Sequence, residues 1–224
     1  MENFVRLDKI IEDLKQKMNY IDLQSSDEFS LTDEQLQLKN FLDERRIHYL
    51  IHFTDAQNIT SIRKNGILSV EELSLKNVDY KSNDAYRQDK ELDYISLSVS
   101  GMNRYLYRTF KNIAQTIEHG VAVIINAEML YKELSMRRFY CNTNAATAEV
   151  SKGETLNDFK AMFADVVSYT TKSSEEMRKI DRQLEKRASY EPTDIQAEIL
   201  WEKHIPTDYI LCYWDLEEDF FYGN

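Results

Sequence analysis

Polar side chains stand at alternate positions of segments that otherwise read as apolar strands. His52 and Thr54 are two residues apart in an aromatic and branched stretch, so both side chains face one side of the predicted strand. Glu198 lies between Ala197 and Ile199 at the start of another apolar strand, where an inward-facing carboxylate needs a partner or a chemical role. A fixed carboxylate can take a proton from a weak nucleophile or stabilise positive charge in a transition state. These residue types therefore indicate a reactive site on the faces of strands.

Arg87 is the candidate for phosphate recognition. The chain has five glycines, and none forms a GxGxxG or GxxxxGK loop, so neither a dinucleotide-binding turn nor a P-loop is available. The Arg87 guanidinium can instead donate two parallel hydrogen bonds to phosphate oxygens. Taken singly, an arginine in the charged loop 81–90 is usually solvated, and a strand histidine such as His52 is usually a core residue. Only their combination with Glu198 favours a functional interpretation.

The elements that must position these residues follow one another without a regular alternation of helix and strand. The spacing of apolar residues predicts amphipathic helices over 3–18 and 32–45, the second beginning at a capping Thr32. A short helix follows the first strand, with Asp55 as its N-terminal cap and Gly66 just beyond its end. Further helices are predicted over 104–118, 155–164 and 173–187, and strands over 47–53, 94–99, 121–126, 138–141, 197–201 and 209–214. This order predicts an α+β fold with a mixed sheet core and flanking helices.

Length and composition limit the class of protein. With 224 residues, of which 42% are hydrophobic, the chain predicts one compact domain over 46–224 with an N-terminal helical extension over 1–45. No run of about 18 apolar residues occurs, and the first residues lack the apolar core of a signal peptide, so we expect a cytoplasmic protein without a membrane span. Two cysteines, Cys141 and Cys212, are too few for a zinc site, and the histidines have no usable ligand spacing, so no metal is expected.

The charge distribution restricts how the chain could bind nucleic acid. A net charge of -11 argues against extensive binding, because Lys and Arg must neutralise phosphates in such complexes. The acidic excess is concentrated in 1–45 and 208–224, however, and the residues between them are close to neutral. Any nucleic-acid contact must therefore come from a local group of basic and aromatic residues.

Four stretches occur in the order expected for one known family. They are His52-Phe53-Thr54 with the helix from Asn58 to Gly66 behind it, Arg87 with Ile95-Ser96-Leu97-Ser98, Thr143-Asn144-Ala145-Ala146, and Pro192-Thr193-Asp194 leading to Gln196-Ala197-Glu198. With these motifs the chain resembles the DarT family of NAD-dependent DNA ADP-ribosyltransferase toxins, from about residue 47 to residue 210. The resemblance implies an ADP-ribosyltransferase-like fold and NAD as the co-substrate.

The resemblance also implies roles for individual residues. Glu198 matches the catalytic glutamate, and Arg87 matches an arginine required for activity near the diphosphate or the target base. The residues that match the NAD-binding region are His52, Thr54, Asn58, Ser96 and Ser98. Breaking the nicotinamide glycosidic bond develops positive charge on the ribose, which a fixed carboxylate stabilises.

Candidate nucleic-acid contacts lie beside these motifs. Stacking of bases on tyrosine, combined with arginine or lysine on phosphates, is the usual arrangement for single strands. The candidates are Asn103, Arg104, Tyr105, Arg108, Asn144 and Gln196. A second basic set precedes the Glu198 loop and consists of Arg178, Lys179, Arg182, Lys186 and Arg187. Acidic residues interleave this second set, so a salt-bridged surface helix is an equal alternative.

The main hypothesis is a toxin that transfers ADP-ribose from NAD to a base in single-stranded DNA and is held in check by an antitoxin protein. The same reaction on RNA is the nearest alternative, because the near-neutral middle of the chain leaves it open. Modification of a protein side chain and a binding module without turnover are further alternatives. Intact His52, Arg87 and Glu198 argue against the last of these.

Overall fold

The computed structural model describes residues 31–83, 91–147, 150–170, 177–217 and 220–223. The α-helices are α1 (Asp33–Arg45), α2 (Ile59–Asn65), α3 (Val70–Leu75), α4 (Arg104–Arg108), α5 (Met129–Lys132) and α6 (Leu156–Ala161). Short 3-10 helices lie at Ala56–Asn58 and Thr207–Tyr209, and a π-helical turn lies at Thr109–Ile113. The strands are β1 (Tyr49–Asp55), β2 (Ile67–Leu68), β3 (Tyr94–Val99), β4 (Gly120–Asn126), β5 (Arg138–Cys141), β6 (Lys152–Gly153), β7 (Val166–Thr170), β8 (Met177–Asp181), β9 (Glu198–Glu202), β10 (His204–Ile205), β11 (Ile210–Asp215) and β12 (Phe220–Gly223).

One eight-stranded sheet organises the molecule. Its strand order is β12-β11-β4-β1-β3-β9-β5-β6, and every neighbouring pair is antiparallel. Two small antiparallel pairs, β2 with β10 and β7 with β8, lie outside it. A large sheet combined with separate short helices confirms the predicted α+β class. The described sheet is antiparallel throughout, whereas the sequence predicted a mixed one.

Apolar side chains cover both faces of the sheet. Every residue of the central strand β4 is buried. On one face, α1 and α2 contribute to the largest apolar cluster through Leu38, Phe41, Leu42, Ile59 and Ile62. The opposite face carries a smaller cluster that includes Tyr49, Ile51, Ala122, Ile124, Leu211 and Trp214. α1 thus packs into the main core, and the domain boundary after residue 45 stays a prediction.

The sheet divides between β1 and β3. In the described strands, the register joins Leu50 to Val99 and Ile51 to Ser98, and no further pair follows. On its other side β1 pairs with β4 along its whole length. The remaining residues of β1 and β3 therefore diverge and leave a gap within the sheet, which we call the fork.

Local sequence signals account for the ends of several helices. Thr32 and Gln35 form the predicted capping box, with each backbone N–H bonded to the other side chain. Asp55 caps the 3-10 helix before α2, and Gly66 ends α2 with a φ of 72°. The structure confirms these three predicted signals, each of which depends on neighbouring residues only.

Two predicted helices are wrong in whole or in part. The helix over 173–187 is contradicted by β8, which pairs with β7 through Val167 and Ile180 and through Tyr169 and Arg178. Burial of Val167 and Tyr169 under this pairing outweighs the helical charge pattern. The helix over 104–118 is shorter, since α4 passes into the π-helical turn and Gln115 takes a φ of 54°. The predicted helix over 3–18 lies outside the described residues.

A membrane-spanning helix is absent from the described ranges, where no helix combines the necessary length with the necessary hydropathy.

Candidate active site

A cavity of about 320 Å³ occupies the fork. Its walls come from both faces of the sheet, because Leu97 and Ile62 belong to the main core whereas Ser98 and Glu198 lie on the opposite face. The gap between β1 and β3 is what allows one cavity to reach both faces. The sequence-predicted residues in its lining are His52, Thr54, Asn58, Ser96, Ser98, Asn103, Asn144 and Glu198.

His52 crosses the fork. Its Nδ1 lies 3.1 Å from the backbone carbonyl oxygen of Ser96. A carbonyl oxygen can only accept, so Nδ1 carries the proton and donates it in this bond. The side chain thereby replaces a missing strand-to-strand hydrogen bond and fixes the imidazole at the cavity wall.

The Asn58 side chain links β1 to the backbone of Lys81. Its Nδ2 donates to Thr54 Oγ1 at 2.8 Å and to the Lys81 carbonyl oxygen at 2.9 Å, and its Oδ1 accepts from the Lys81 N–H at 2.8 Å. Thr54 is 3% exposed. The structure thus brings Thr54 and Asn58 together at the site, where the Asn58 amide holds the loop 80–83.

Glu198 is fixed by its strand and by a loop. It lies opposite Ser98 on β3 and opposite Cys141 on β5, and it is 9% exposed. Its Oε1 accepts a hydrogen bond of 2.6 Å from the backbone N–H of Ala145. A carboxylate held this way at a cavity wall is ready to oppose positive charge without first reorganising.

The buried residues Thr143 and Asp194, which flank the segments that hold Glu198, were not among the predicted site residues. Thr143 Oγ1 donates to Asp194 Oδ2 at 2.6 Å, and both residues are nearly fully buried. Burial raises the pKa of the Asp194 carboxyl, although the bonds from Thr143 and from the Gln196 N–H act in the opposite direction. The pair connects the loop 143–147 to the segment that leads into β9. Both residues stand in the motifs Thr143-Asn144-Ala145-Ala146 and Pro192-Thr193-Asp194, but local patterning cannot pair Asp194 with Thr143.

The predicted nucleic-acid contacts fall into two groups. Arg104, Tyr105 and Arg108 are exposed on α4, with Tyr105 at 69%. Asn103 is buried and accepts from the Leu106 N–H at 3.0 Å as the cap of α4.

The remaining two predicted contacts lie near Glu198. Asn144 lines the cavity and its Oδ1 accepts from the Ala146 N–H at 2.9 Å. Gln196 is half-buried and is not among the described lining residues. Its N–H donates to Asp194 Oδ1 at 2.9 Å, so its backbone belongs to the segment that supports β9.

The second basic set does not form a helical surface. Arg178 and Lys179 are exposed on β8, and Lys186 is exposed in the turn that follows it. Arg182 is half-buried and donates to the carbonyl oxygens of Glu191, at 2.7 Å, and Ala188. Burial lowers the pKa of its guanidinium. Arg182 therefore organises the loop before β9.

The predicted role of Arg87 and the expectation of no metal site complete the comparison with the sequence. Arg87 lies outside the described residues, so its role stays a prediction. In the ranges that the structure describes, no group of three His, Cys, Asp or Glu side chains could hold a metal ion.

Solved structures from two organisms, Thermosipho africanus and Thermus sp. 2.9, are similar to this chain at low sequence identity. Thermosipho africanus DarTG in complex with ADP-ribose is 17% identical, with a TM-score of 0.49, over 75% of this chain and 44% of that one. Thermus sp. 2.9 DarT in complex with NAD+ is 11% identical, with a TM-score of 0.46, over 75% of this chain and 81% of that one. The same Thermus protein in complex with ADP-ribosylated ssDNA is 12% identical, with a TM-score of 0.47, over 74% and 79% of the two chains. The chain spans less than half the length of the Thermosipho chain.

The family comparison covers most of the chain. No curated protein matches the sequence significantly. The model of the family described as ssDNA thymidine ADP-ribosyltransferase, DarT, matches residues 51–213. This match includes the fork, the loop 143–147 and Glu198, and it confirms the resemblance noted from the motifs. The chain belongs to the DarT family of ssDNA thymidine ADP-ribosyltransferases.

Proposed function

We propose that the chain transfers ADP-ribose from NAD to thymidine in single-stranded DNA and releases nicotinamide. The observation that carries this proposal is the Glu198 carboxylate, fixed by the Ala145 N–H in a cavity that His52 bounds on the other side. Family membership supplies the substrate class and the base.

The residues present fit this reaction. The bond between the ribose anomeric carbon and the nicotinamide nitrogen breaks, and its electron pair leaves with nicotinamide. A nucleophilic atom of the base forms the new bond to the anomeric carbon and gives up its proton. Glu198 opposes the positive charge on the ribose and accepts that proton. The lining side chains of His52, Ser96 and Asn144 offer polar contacts to the ribose and amide groups of NAD.

The DNA strand would approach along α4. Leu106, together with Thr109 and Phe110 just beyond the helix, lines the cavity, whereas Arg104 and Tyr105 are exposed. This arrangement presents a stacking ring and a phosphate partner beside the cavity, as proteins that bind single strands commonly do. Arg104, Tyr105 and Arg108 would therefore position the strand, with Asn144 and Gln196 nearer to the target base.

The reaction is tested with Glu198→Gln, which removes the charge and keeps the shape. Purified protein is incubated with NAD and a thymidine-containing DNA oligonucleotide, and the mass of one added ADP-ribose is measured with time. We expect the substitution to slow transfer by about 10²- to 10⁴-fold. Glu202→Gln is the matched control, because Glu202 lies on the same strand outside the cavity and should leave the rate unchanged.

Parallel reactions with RNA and with protein extract separate the alternatives. Transfer to RNA or protein, with none to DNA, would refute the proposed substrate. Equal transfer by wild type and Glu198→Gln would refute the proposed role of the carboxylate.

A protein antitoxin is proposed as the partner in the cytoplasm, in line with the resemblance to a toxin family. Expression of the chain alone should arrest growth, and the Glu198→Gln variant should not. Normal growth of cells that contain active enzyme and modified DNA would contradict the toxin role.

A further inference from the structure

The loop 80–83 forms one wall of the cavity beside the fork. Tyr80, Lys81, Ser82 and Asn83 all line the cavity. Asn83 Nδ2 donates to the Phe53 carbonyl oxygen at 3.1 Å, on the part of β1 that has parted from β3. The loop therefore takes the place that a neighbouring strand would otherwise fill along β1.

Lys81 is held at this wall by its backbone and by its side chain. Asn58 binds both its N–H and its carbonyl oxygen. The Lys81 Nζ lies 3.2 Å from Asp55 Oδ2 and 2.8 Å from Glu118 Oε1. The Glu118 side chain is 74% exposed and the Asp55 side chain 1% exposed. Water screens the outer pair, so the inner pair fixes the side chain more firmly.

Asp55 makes a buried anchor for the loop. Its carboxylate accepts the N–H of Gln57 at 3.0 Å and that of Glu118 at 2.7 Å. Burial raises the pKa of this carboxyl, but the backbone hydrogen bonds and Lys81 outweigh burial and hold the pKa below its ordinary value. Lys81 is the cation paired with this buried carboxylate, which the backbone N–H groups also stabilise in its charged form.

We propose that Lys81 is a positioning residue for the NAD site, whose ion pair with buried Asp55 holds the loop 80–83 as a fixed wall and presents the Tyr80 ring to the cavity. The proposal rests on the proposed function for the identity of the ligand. Lys81 acts through the loop and leaves Glu198 untouched, on the opposite side of the cavity. Loss of the ion pair should therefore weaken NAD binding far more than it slows turnover.

The test compares Lys81→Met with Lys76→Met. Lys76 makes an ion pair of 3.0 Å with Glu72 on α3 and is not among the cavity-lining residues. Lys76→Met therefore removes an ion pair of the same kind at a position that does not form the cavity wall. We expect Lys81→Met to raise the dissociation constant and the KM for NAD by on the order of 10- to 100-fold, which is the effect of a mispositioned binding group. The kcat at saturating NAD should change little, and Lys76→Met should match wild type in all three values.

Two further variants keep the test independent of a general loss of folding. Lys81→Arg retains the cation and should recover most of the NAD affinity. Asp55→Asn should also weaken NAD binding, and its effect should be smaller in the Lys81→Met background than in wild type, because both substitutions remove the same ion pair.

Calorimetry with NAD alone measures the affinity without DNA, so a failure to modify DNA would refute the proposed function and not the role of the loop. An unchanged NAD affinity in Lys81→Met would overturn the proposal. A fall in kcat at unchanged KM, or additive effects of the Lys81 and Asp55 substitutions, would also overturn it.

Discussion

Glu198 owes its position to residues outside its own strand. The Ala145 N–H fixes one carboxylate oxygen, and the buried bond between Thr143 and Asp194 fixes the loop that carries Ala145. A glutamate has several rotatable bonds, and ordering them before the substrate arrives lowers the barrier to reaction. The position of the Glu198 carboxylate therefore depends on the hydrogen bond between Thr143 and Asp194.

Thr143→Val tests this dependence, since it keeps the shape of the side chain and removes the hydroxyl. The buried Asp194 carboxyl loses a donor, so the free energy of unfolding should fall by about 1–3 kcal/mol. The rate of ADP-ribose transfer should fall as well, because the loop 143–147 no longer holds Glu198 in place. Urea unfolding and the mass assay measure the two effects.

Two controls accompany this variant. Thr143→Ser retains the hydroxyl and should restore the transfer rate. Ser168→Val, at an exposed position of β7, should change the free energy of unfolding by less than about 0.5 kcal/mol. A Thr143→Val protein with wild-type stability and transfer rate would show that the buried bond supports neither.

At the scale of elements, the helix α2 depends on the residue that ends it. Gly66 has a φ of 72°, and a Cβ atom there would lie 2.2 Å from the Ile205 carbonyl oxygen on β10. A side chain is excluded both by the backbone conformation and by the neighbouring strand. Gly66 thus allows α2 to end where β2 begins its pairing with β10.

Gly66→Ala should lower the free energy of unfolding by more than about 2 kcal/mol, because it adds a clash to an unfavourable φ. Thermal and urea unfolding measure the change. Lys64→Ala on the exposed side of the same helix is the control and should stay within about 0.5 kcal/mol of wild type. Equal stability of the two variants would contradict the close contact with Ile205.

The same elements show what the sequence could predict. The strand 94–99 agrees with β3 because its apolar alternation is local, and the strand 138–141 agrees with β5 because its aromatic residues favour a strand. The helix over 173–187 failed because β8 is specified by its pairing with β7, a partner that charge spacing does not reveal. Of the site, the motifs predicted part of the cavity lining, including His52 and Glu198. Lys81 and Asp194 were missed because their partners are distant in sequence.

At the scale of the whole molecule, the fork divides the sheet into two halves. One half contains β12, β11, β4 and β1, and the other contains β3, β9, β5 and β6. Apart from their shared core, the halves are joined through the short register at Leu50 and Ile51. The Ser100 N–H also donates to the Tyr49 carbonyl oxygen, and the His52 side chain bonds to Ser96 across the fork. His52 belongs to the first half and Glu198 to the second, so the candidate site exists only where the two halves meet.

A ligand that contacts both halves should protect their facing backbones together. Saturating NAD is expected to slow hydrogen exchange of the amides in 52–55 and in 94–97, because it closes the fork to solvent. The central strand β4 serves as the internal reference and should exchange at the same rate with and without NAD. Protection confined to one side of the fork would contradict binding between the two halves.

The fork also has a consequence for how such a chain can diverge over evolution. The wall formed by α2 and the loop 80–83 belongs to the first half, whereas α4 and the loop 143–147 follow strands of the second half. The loop 80–83 is bonded to β1 and to the segment 116–118, which follows α4. Glu198 accepts its bond from the Ala145 N–H of the loop 143–147, so a substitution in the loop 80–83 leaves that bond in place. Under the proposed function, descendants of this chain could therefore change the nucleic-acid sequence they accept, through α4, while still consuming the same nucleotide.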